Sequence, residues 1–570
     1  MTSLLSKYLG NKEPVCEVCS MDISDNVPLI AGAFTCLGLS ISVLKKAATI
    51  CFTWRRAAIQ SLGTLRKIQY YFPTQKLGRH EKRLLWNNRS YWIGHDKWLI
   101  QLIKAANWAD PNDTAAMLYI LEQPRPFFSC WETMCTSRCS KCNQPEPEYC
   151  LELLSDTIRD PPARSFAVEC LSNLSSSEKK KLNCFIPILV HDLRYETAFQ
   201  SKIWSLLCNI ALERDNGKVR NELFWNLVVA AEDKKYRLIY EGYRGLLIAA
   251  ITDKLGFAES KKILDGIEFV QCLETFKALV GTEGALNDLK NLRNISFPLD
   301  TDVLIQNINV MEKDDCSIYF NANGVRGSEE EGVQFVLKSE DVRKDYLVMN
   351  LFKCCHEILK EAKFECPLIT YNVIPITSTS GIIQGIPNAT NFQTIKNIYN
   401  GDFWQFLTIQ NFEKLNSIEI AETFIKSTAV YSVLSFLLDI ENCTLANYML
   451  SPKGEFYQQD YRHILGKQPS TFSPRVPVSV HTAVEKNVAH LSTKSTNFFE
   501  ACTKIYVILR RNYTIFINFL KVLLYEDNEL KIEEMEMTIK ERFLPGISDE
   551  DAQRIFHNIL TNSDVVFQIV

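Results

Sequence analysis

The sequence predicts an α+β chain in which a helical array precedes a small β-rich lobe and a larger helical lobe. Three observations predict it. From about residue 81 to 265, apolar residues recur at intervals of three and four, as in EYCLELL, ARSFAVECL and KIWSLLCNIAL, which is the period of an amphipathic helix. After residue 290 the texture changes to β-branched and aromatic runs, CSIYFNA and GVQFVLK, which read as strands. The remainder is mainly helical, including AETFIKSTAVYSVLSFLLDI and FFEACTKIYVILRRNYTIFINFLKVLLYE.

Length and composition bound the answer. At 570 residues, with 46% hydrophobic and 23% charged side chains, the chain is long enough for two to four domains with large cores. A formal net charge of −4 provides no global field for nucleic acid, so no nucleic-acid partner is expected. The chain shows no sustained heptads, low-complexity tract or internal repeat. Nineteen cysteines with no basic segment ahead of the first apolar run predict free thiols in a reducing, cytoplasmic setting. Cys135, Cys139 and Cys142 have spacing that suits zinc, but a lone C-x-x-C is weak evidence and free thiols are the favoured reading.

The elements follow in order. Residues 1–80 carry no chemical motif. Within them, Val27–Leu44 runs 18 residues without a charge, near the minimum of about 17 for a membrane-spanning helix. Pro28, two glycines and the LSISVL end predict buried strands instead. Lys45, Lys46, Arg55 and Arg56 keep a membrane-facing anchor as the alternative. Asp160-Pro161-Pro162 predicts a helix start. SSSEKKK (175–181) reads as a solvated helix start rather than a lipid patch. NGVRGSEEEG reads as a turn-rich acidic connector between two strands, VMNLFKCCHEILKEA as an amphipathic helix, and LITYNVIPI and SGIIQGI as a strand pair around TSTSG. EDNELKIEEMEM (526–537) is acidic and would repel an anionic membrane.

The order of motifs resembles the phosphoinositide 3-kinase catalytic subunits, class I in particular. EKRLLWNNRSY (81–91), DPPARSFAVECL (160–171), HDLRYE (191–196), NELFWNL (221–227) and LIYEGYRG (238–245) resemble landmarks of that family's helical accessory (PIK) domain. VLKSEDVRKDYLVMNL (336–351), ITYNVIPITSTSGIIQGI (369–386), YRHILG (461–466) and RVPVSV (475–480) continue the likeness, which covers about 480 residues. The resemblance implies an α-helical solenoid packed on a two-lobed lipid-kinase fold. Residues 1–80 would be an N-terminal segment, a C2 remnant or something new. Residues 81–265 would be the accessory domain, 266–385 the linker and N-lobe, and 386–570 the C-lobe. Full adaptor-binding and Ras-binding modules are not expected.

Phosphoryl transfer needs a phosphate cradle, a charge clamp, metal ligands and a group to take the hydroxyl proton. By resemblance, Lys338 pairs with nucleotide phosphates and Asp345 orients it, with one residue fewer between them than in the family. Tyr371, Gln384 and Ile386 fall at nucleotide-binding positions, the last two in the hinge. The phosphate turn reads MEKDDCSIY, so Asp314 and Asp315 are expected to face the triphosphate where the family has a lysine, with Lys313 beside them. The family's catalytic loop reads G-D-R-H-x-x-N. Here Glu441, Asn442, Cys443 and Thr444 replace its first four residues, and only the metal ligand Asn447 is kept. A threonine hydroxyl cannot act as a base near neutral pH.

Asp460 matches the other metal ligand, but D-F-G becomes Asp460-Tyr461-Arg462. Arg462 is expected either to pair with Asp460 in place of magnesium or to face solvent. The activation segment offers only Lys467 and Arg475 to a lipid head group, and NILTNSDVVFQIV lacks the aromatic membrane tail of active class I enzymes. The expected protein is therefore an impaired member of the family, a pseudokinase or scaffold, meeting a phosphoinositide membrane peripherally or a signalling protein. The alternative is an active phosphatidylinositol 3-kinase using ATP and Mg2+, with His463 taking the proton.

Overall fold

The computed structural model describes residues 31, 39, 41–47, 58, 63, 65, 68, 71, 75–91, 98–122, 147–156, 158–174, 176–196, 198–279, 289, 292–411, 417–440, 444–465, 498–526 and 531–561. The chain divides into two compact units, 1–173 and 174–570.

The first unit contains helices α1 (Ile41–Ala47), α2 (Arg79–Asn87), α3 (Leu99–Ala105), α4 (Pro111–Glu122), α5 (Pro147–Leu154) and α6 (Pro161–Ser172). One sequence expectation changes here. Ile41–Leu44, the described end of the LSISVL segment, lie in α1 rather than in a strand: Ile41, Leu44 and Ala47 are buried on one helical face. The Ile41 N–H donates to Asn88 Oδ1 at 2.6 Å, satisfying a helix-end donor from a residue 47 positions away. This distant partner outweighs the local strand preference of Ile and Val. The described residues of 1–80 with assigned secondary structure are likewise helical. Asp160 does cap α6, accepting the Ala163 N–H at 3.0 Å, with proline in the first turn. Arg164, buried in α6, ties down the end of α5 by donating to the Leu154 carbonyl at 2.7 Å.

The second unit opens with α7 (Ser176–Cys184), α8 (Ile186–Asp192), α9 (Lys202–Ala211), α10 (Gly217–Ala230), α11 (Arg237–Leu255) and α12 (Phe257–Leu279). Helix α12 runs unbroken through residue 265, where the sequence reading ended the helical region. At Gly266 the lack of a Cβ lets Pro298 and Trp225 approach closely.

An antiparallel sheet follows, made of β1 (Ile295–Phe297), β2 (Asp300–Lys313), β3 (Ser317–Arg326), β4 (Glu329–Lys338), β5 (Val373–Thr377) and β6 (Ser380–Gly385), in the order β1-β2-β3-β4-β6-β5. Helix α13 (Arg343–Glu361) connects β4 to β5. The predicted acidic connector is mostly strand, because β3 and β4 meet at a two-residue turn with Arg326 paired to Glu329. Gly327 sits there at φ +63°, a left-handed conformation that suits glycine in a tight hairpin. Arg326 neutralises the acidic run, reaching Glu331 and Asp300 at 2.9 Å each. One face of the sheet is an aromatic core in which Phe335 stacks on Phe320 at 4.9 Å and contacts Phe297 and Phe269 of α12.

The C-terminal lobe comprises β7 (Thr390–Asn391), α14 (Phe392–Tyr399), α15 (Phe403–Gln410), α16 (Ser417–Leu438), β8 (Tyr448–Leu450), β9 (Phe456–Gln458), α17 (Phe498–Arg510), α18 (Tyr513–Glu526), α19 (Ile532–Phe543) and α20 (Asp549–Thr561). Among the described residues, one helix (Ile418–Leu438) is long and apolar enough to cross a membrane. It is the core helix of this lobe, 83% buried inside the protein.

The helical array grips both lobes. On α10, Asn226 donates to the Tyr346 hydroxyl of α13, and that hydroxyl donates to Glu222 at 3.3 Å. Arg194, just beyond α8, stacks over the Tyr525 ring of α18 at 4.0 Å.

Candidate functional site

The site gathers at the edge where β4 ends. Lys338 is the last residue of β4, and Gly381 of β6 lies directly opposite in the register. A Cβ on Gly381 would overlap Val342, so this glycine lets the start of α13 close on the sheet. Asp345 is thereby placed in the first turn of α13, buried to 2% exposure. From the other lobe, β9 leads into Asp460-Tyr461-Arg462. The Tyr461 N–H donates to Asp345 Oδ1 at 3.4 Å, and the Tyr461 ring packs edge-on against Phe352. Asp460 holds φ +71°, a left-handed conformation that aspartate tolerates better than most residues. Lys338, Asp345 and Asp460 therefore converge despite the shortened spacing.

The charges form an alternating ladder. Lys338 Nζ meets Glu340 Oε1 at 2.7 Å, and Glu340 Oε2 meets Arg462 Nη1 at 2.9 Å. Arg462 then clasps Asp460 with two bonds, Nε to Oδ1 at 2.8 Å and Nη2 to Oδ2 at 2.6 Å. Planar guanidinium and carboxylate groups match in this bidentate form. Lys344 adds a further link, donating to the Arg462 carbonyl at 3.3 Å. Burial alone would lower the Lys338 pKa, but Asp345 and Glu340 outweigh it and hold the ammonium charged. Burial would raise Asp460, yet its Arg462 partner brings it below the usual carboxylate value.

Asp345 titrates differently. Burial drives its pKa up to about 6, Lys338 opposes the rise, and Asp460 and Glu340 add to it. Between the ordinary 3.8 and about 6 the folded chain holds the extra proton, so this group's contribution to stability falls as pH rises through that window. Asp345→Asn removes the titration. Its thermal midpoint relative to wild type should climb between pH 4 and 6, equivalent to at most about 3 kcal/mol. Scanning calorimetry of both proteins across that range checks it, and a flat difference would contradict the buried carboxylate.

Asp460 and Asn447 are the oxygen ligands that the family position assigns to a divalent cation. Here both carboxylate oxygens of Asp460 are held by Arg462. The Asn447 backbone is taken up in the turn, bonding the Thr444 carbonyl and the Gln459 N–H. Among the described residues no group of three or more His, Cys, Asp or Glu side chains is placed to hold a metal. A magnesium ion on Asp460 would have to displace the Arg462 guanidinium.

The phosphate turn is also self-occupied. Successive N–H groups in a tight turn make an anion-binding concavity. Asp314 Oδ1 accepts from the N–H groups of Cys316 at 2.8 Å and Ser317 at 2.6 Å, and Tyr319 donates to its Oδ2 at 3.3 Å. The Asp314 carboxylate thus folds back onto the N–H groups of its own turn, and Lys313, Asp314 and Asp315 are all exposed.

The remaining predicted positions are spread around this centre. Strand alternation puts Gln384 on the sheet face opposite Lys338, where it lines a cavity of about 490 Å³ beside Trp225 and Lys353. Its main chain and side chain both bond Asn372, and the Ile386 carbonyl accepts the Ala389 N–H. Tyr371 is fully buried near Tyr457, and neither hydroxyl has a hydrogen-bond partner among the described residues. These two groups are what a ligand or ordered water could still satisfy. Thr444 is exposed. His463 is partly exposed, and its pKa is lowered by burial, opposed by Asp460 and assisted by Arg462 and Lys344. Asn442, Lys467, Arg475, Cys135, Cys139 and Cys142 lie outside the described residues. Sequence reasoning missed Glu340: an acid two positions after Lys338 is visible in KSED, but its partner lies 122 residues later.

A β-rich lobe and a helical lobe meeting at a strand lysine, a helix carboxylate and a post-strand aspartate define a two-lobed kinase fold, here carried on a helical array. The accessory-domain (PIK domain) model of the phosphoinositide 3-kinase family matches residues 56–255. The phosphatidylinositol 3- and 4-kinase model matches residues 332–400 and 393–528. Phosphatidylinositol 3-kinase pik3 of Schizosaccharomyces pombe is 23% identical over 539 residues, covering 88% of this chain and 64% of its own length. Phosphatidylinositol 3-kinase VPS34 of Saccharomyces cerevisiae is 22% identical over 597 residues, covering 89% and 63%. The Arabidopsis thaliana VPS34 is 24% identical over 546 residues, covering 88% and 62%. The chain belongs to the phosphoinositide 3-kinase family. It spans a little under two thirds of the length of these relatives.

Proposed function

We propose that this chain is a catalytically impaired phosphoinositide 3-kinase relative, a scaffold at phosphoinositide-bearing membranes or on a signalling protein. The observation that carries the reading is Asp314, whose carboxylate fills the turn that would receive a nucleotide phosphate. An incoming phosphate would meet both occupied donors and like charge. The replacement of the family's aspartate and histidine by Asn442 and Thr444 agrees with it. Losing a positioned acid–base group costs about 10²–10⁴ in rate.

The test is transfer of labelled phosphate from Mg·ATP to phosphatidylinositol vesicles by wild type, Lys338→Met and Asn442→Asp/Thr444→His. Wild type and Lys338→Met should both equal the protein-free blank. The double variant should stay silent too, because Asp314 and Arg462 are untouched. Wild-type turnover that vanishes in Lys338→Met would overturn the reading. It would establish instead an active kinase with His463, kept neutral by its lowered pKa, as the candidate base.

A further inference from the structure

We infer that Arg462 is a built-in cation that takes the divalent metal's place on Asp460 and latches the two lobes together. In a working kinase of this architecture, metal and nucleotide bridge the lobes across the cleft. Here the bridge is made of side chains. Asp460 and Arg462 belong to the C-terminal lobe, while Glu340 and Lys338 belong to the end of the sheet. The Arg462–Glu340 contact at 2.9 Å is the rung that crosses between them. The Lys344 bond to the Arg462 carbonyl crosses at a second point.

Three features separate this from an incidental surface pair. The Asp460 side chain is 8% exposed and both of its oxygens are engaged, so no lone pair is left free on the side facing Arg462. Glu340 is shared, one oxygen to Lys338 and one to Arg462, so the ladder has no uncompensated charge at its centre. The position of Arg462 is where the family motif has glycine, a residue with no side chain to enter the site. The Arg462 side chain is 48% exposed, so its rung to Glu340 has the modest worth of an exposed pair, about 0–1 kcal/mol, whereas the bidentate clasp on nearly buried Asp460 holds a charge that would otherwise be desolvated and alone.

The inference rests on the impaired-kinase reading, yet its test measures no phosphate transfer. Mn2+ serves as a spectroscopic substitute for Mg2+. Its binding to the full chain is followed by electron paramagnetic resonance, alongside the thermal midpoint, in wild type, Arg462→Gly and Glu340→Gln. Wild type should bind no Mn2+ at millimolar concentration. Arg462→Gly should gain binding at least about tenfold tighter, a difference of about 1.4 kcal/mol, and lose midpoint. Glu340→Gln keeps the Asp460 clasp, so it should lose midpoint without gaining Mn2+. Wild type binding Mn2+ as tightly as Arg462→Gly would overturn the substitution. Unchanged midpoints in both variants would overturn the latch while leaving the impaired reading standing. Wild-type phosphate transfer in the separate assay would overturn the impaired reading and, with it, the replacement of the metal by Arg462.

Discussion

Gly381→Val should abolish soluble protein or lower the thermal midpoint more than any other single change in the N-terminal lobe. The position is buried mid-sheet, opposite Lys338 on one side and Pro375 on the other. A Cβ there overlaps the Val342 side chain and comes within 2.9 Å of the Ile374 carbonyl oxygen. The carbonyl is backbone inside a strand pair and has nowhere to go. Overpacking a formed core costs about 1–3 kcal/mol, and more where backbone must move. Val342 sits at the N-terminal boundary of α13, so the displacement reaches Asp345 within three residues. Soluble yield and a thermal scan measure the effect. Gly381→Ala should shift the same way by less. A midpoint equal to wild type for valine would mean that α13 does not close on β6 as described.

Arg194→Met should come second. The Arg194 side chain is 3% exposed and bonds the His191 carbonyl at 2.9 Å and the Tyr240 hydroxyl at 3.2 Å through Nε. Its guanidinium lies between the rings of Tyr525, Tyr236 and Tyr240, at 4.0, 5.2 and 5.9 Å. Burial would discharge it, but Tyr240 and the neighbouring rings raise its pKa overall. Methionine preserves much of the volume and removes the charge and donors. A cation over an aromatic face is worth up to about 2 kcal/mol when dry, and unpaired buried acceptors add about 1–3 kcal/mol. The loss should appear first at the array's contact with α18, as faster hydrogen exchange in Tyr513–Glu526. Unaltered exchange there would show that Arg194 only fills space.

Local chemistry was legible in the sequence, and distant partners were not. The Asp160 cap could be read because donor and acceptor lie three residues apart. The β5–β6 pair could be read because its turn sits between the strands. Segment α1 was misread because the group that stabilises its first turn, Asn88, belongs to another element. The acidic stretch after β3 was misread as a connector because its turn signal belongs to a two-residue hairpin, where Arg326 pairs opposite Glu329 and reaches Glu331, and its other partner Asp300 lies on a different strand. In the site, motif order located Lys338, Asp345 and Asp460, and the structure brings them together. The pairing of Arg462 with Asp460 was one of two readings, since the two are near neighbours. Glu340 and the inward fold of Asp314 needed the third dimension.

The grip of α10 on Tyr346 has a mechanical consequence. Tyr346 is held by Asn226 and Glu222, and the residue before it is Asp345. Adjacent Cα atoms are about 3.8 Å apart and joined by a stiff peptide, so there is no slack between the grip and the carboxylate. A load that tilts α10 is transmitted to the deepest charge in the cleft as though the two were parts of one lever. Anything that seizes the helical array thus pulls on the floor of the cleft without entering it.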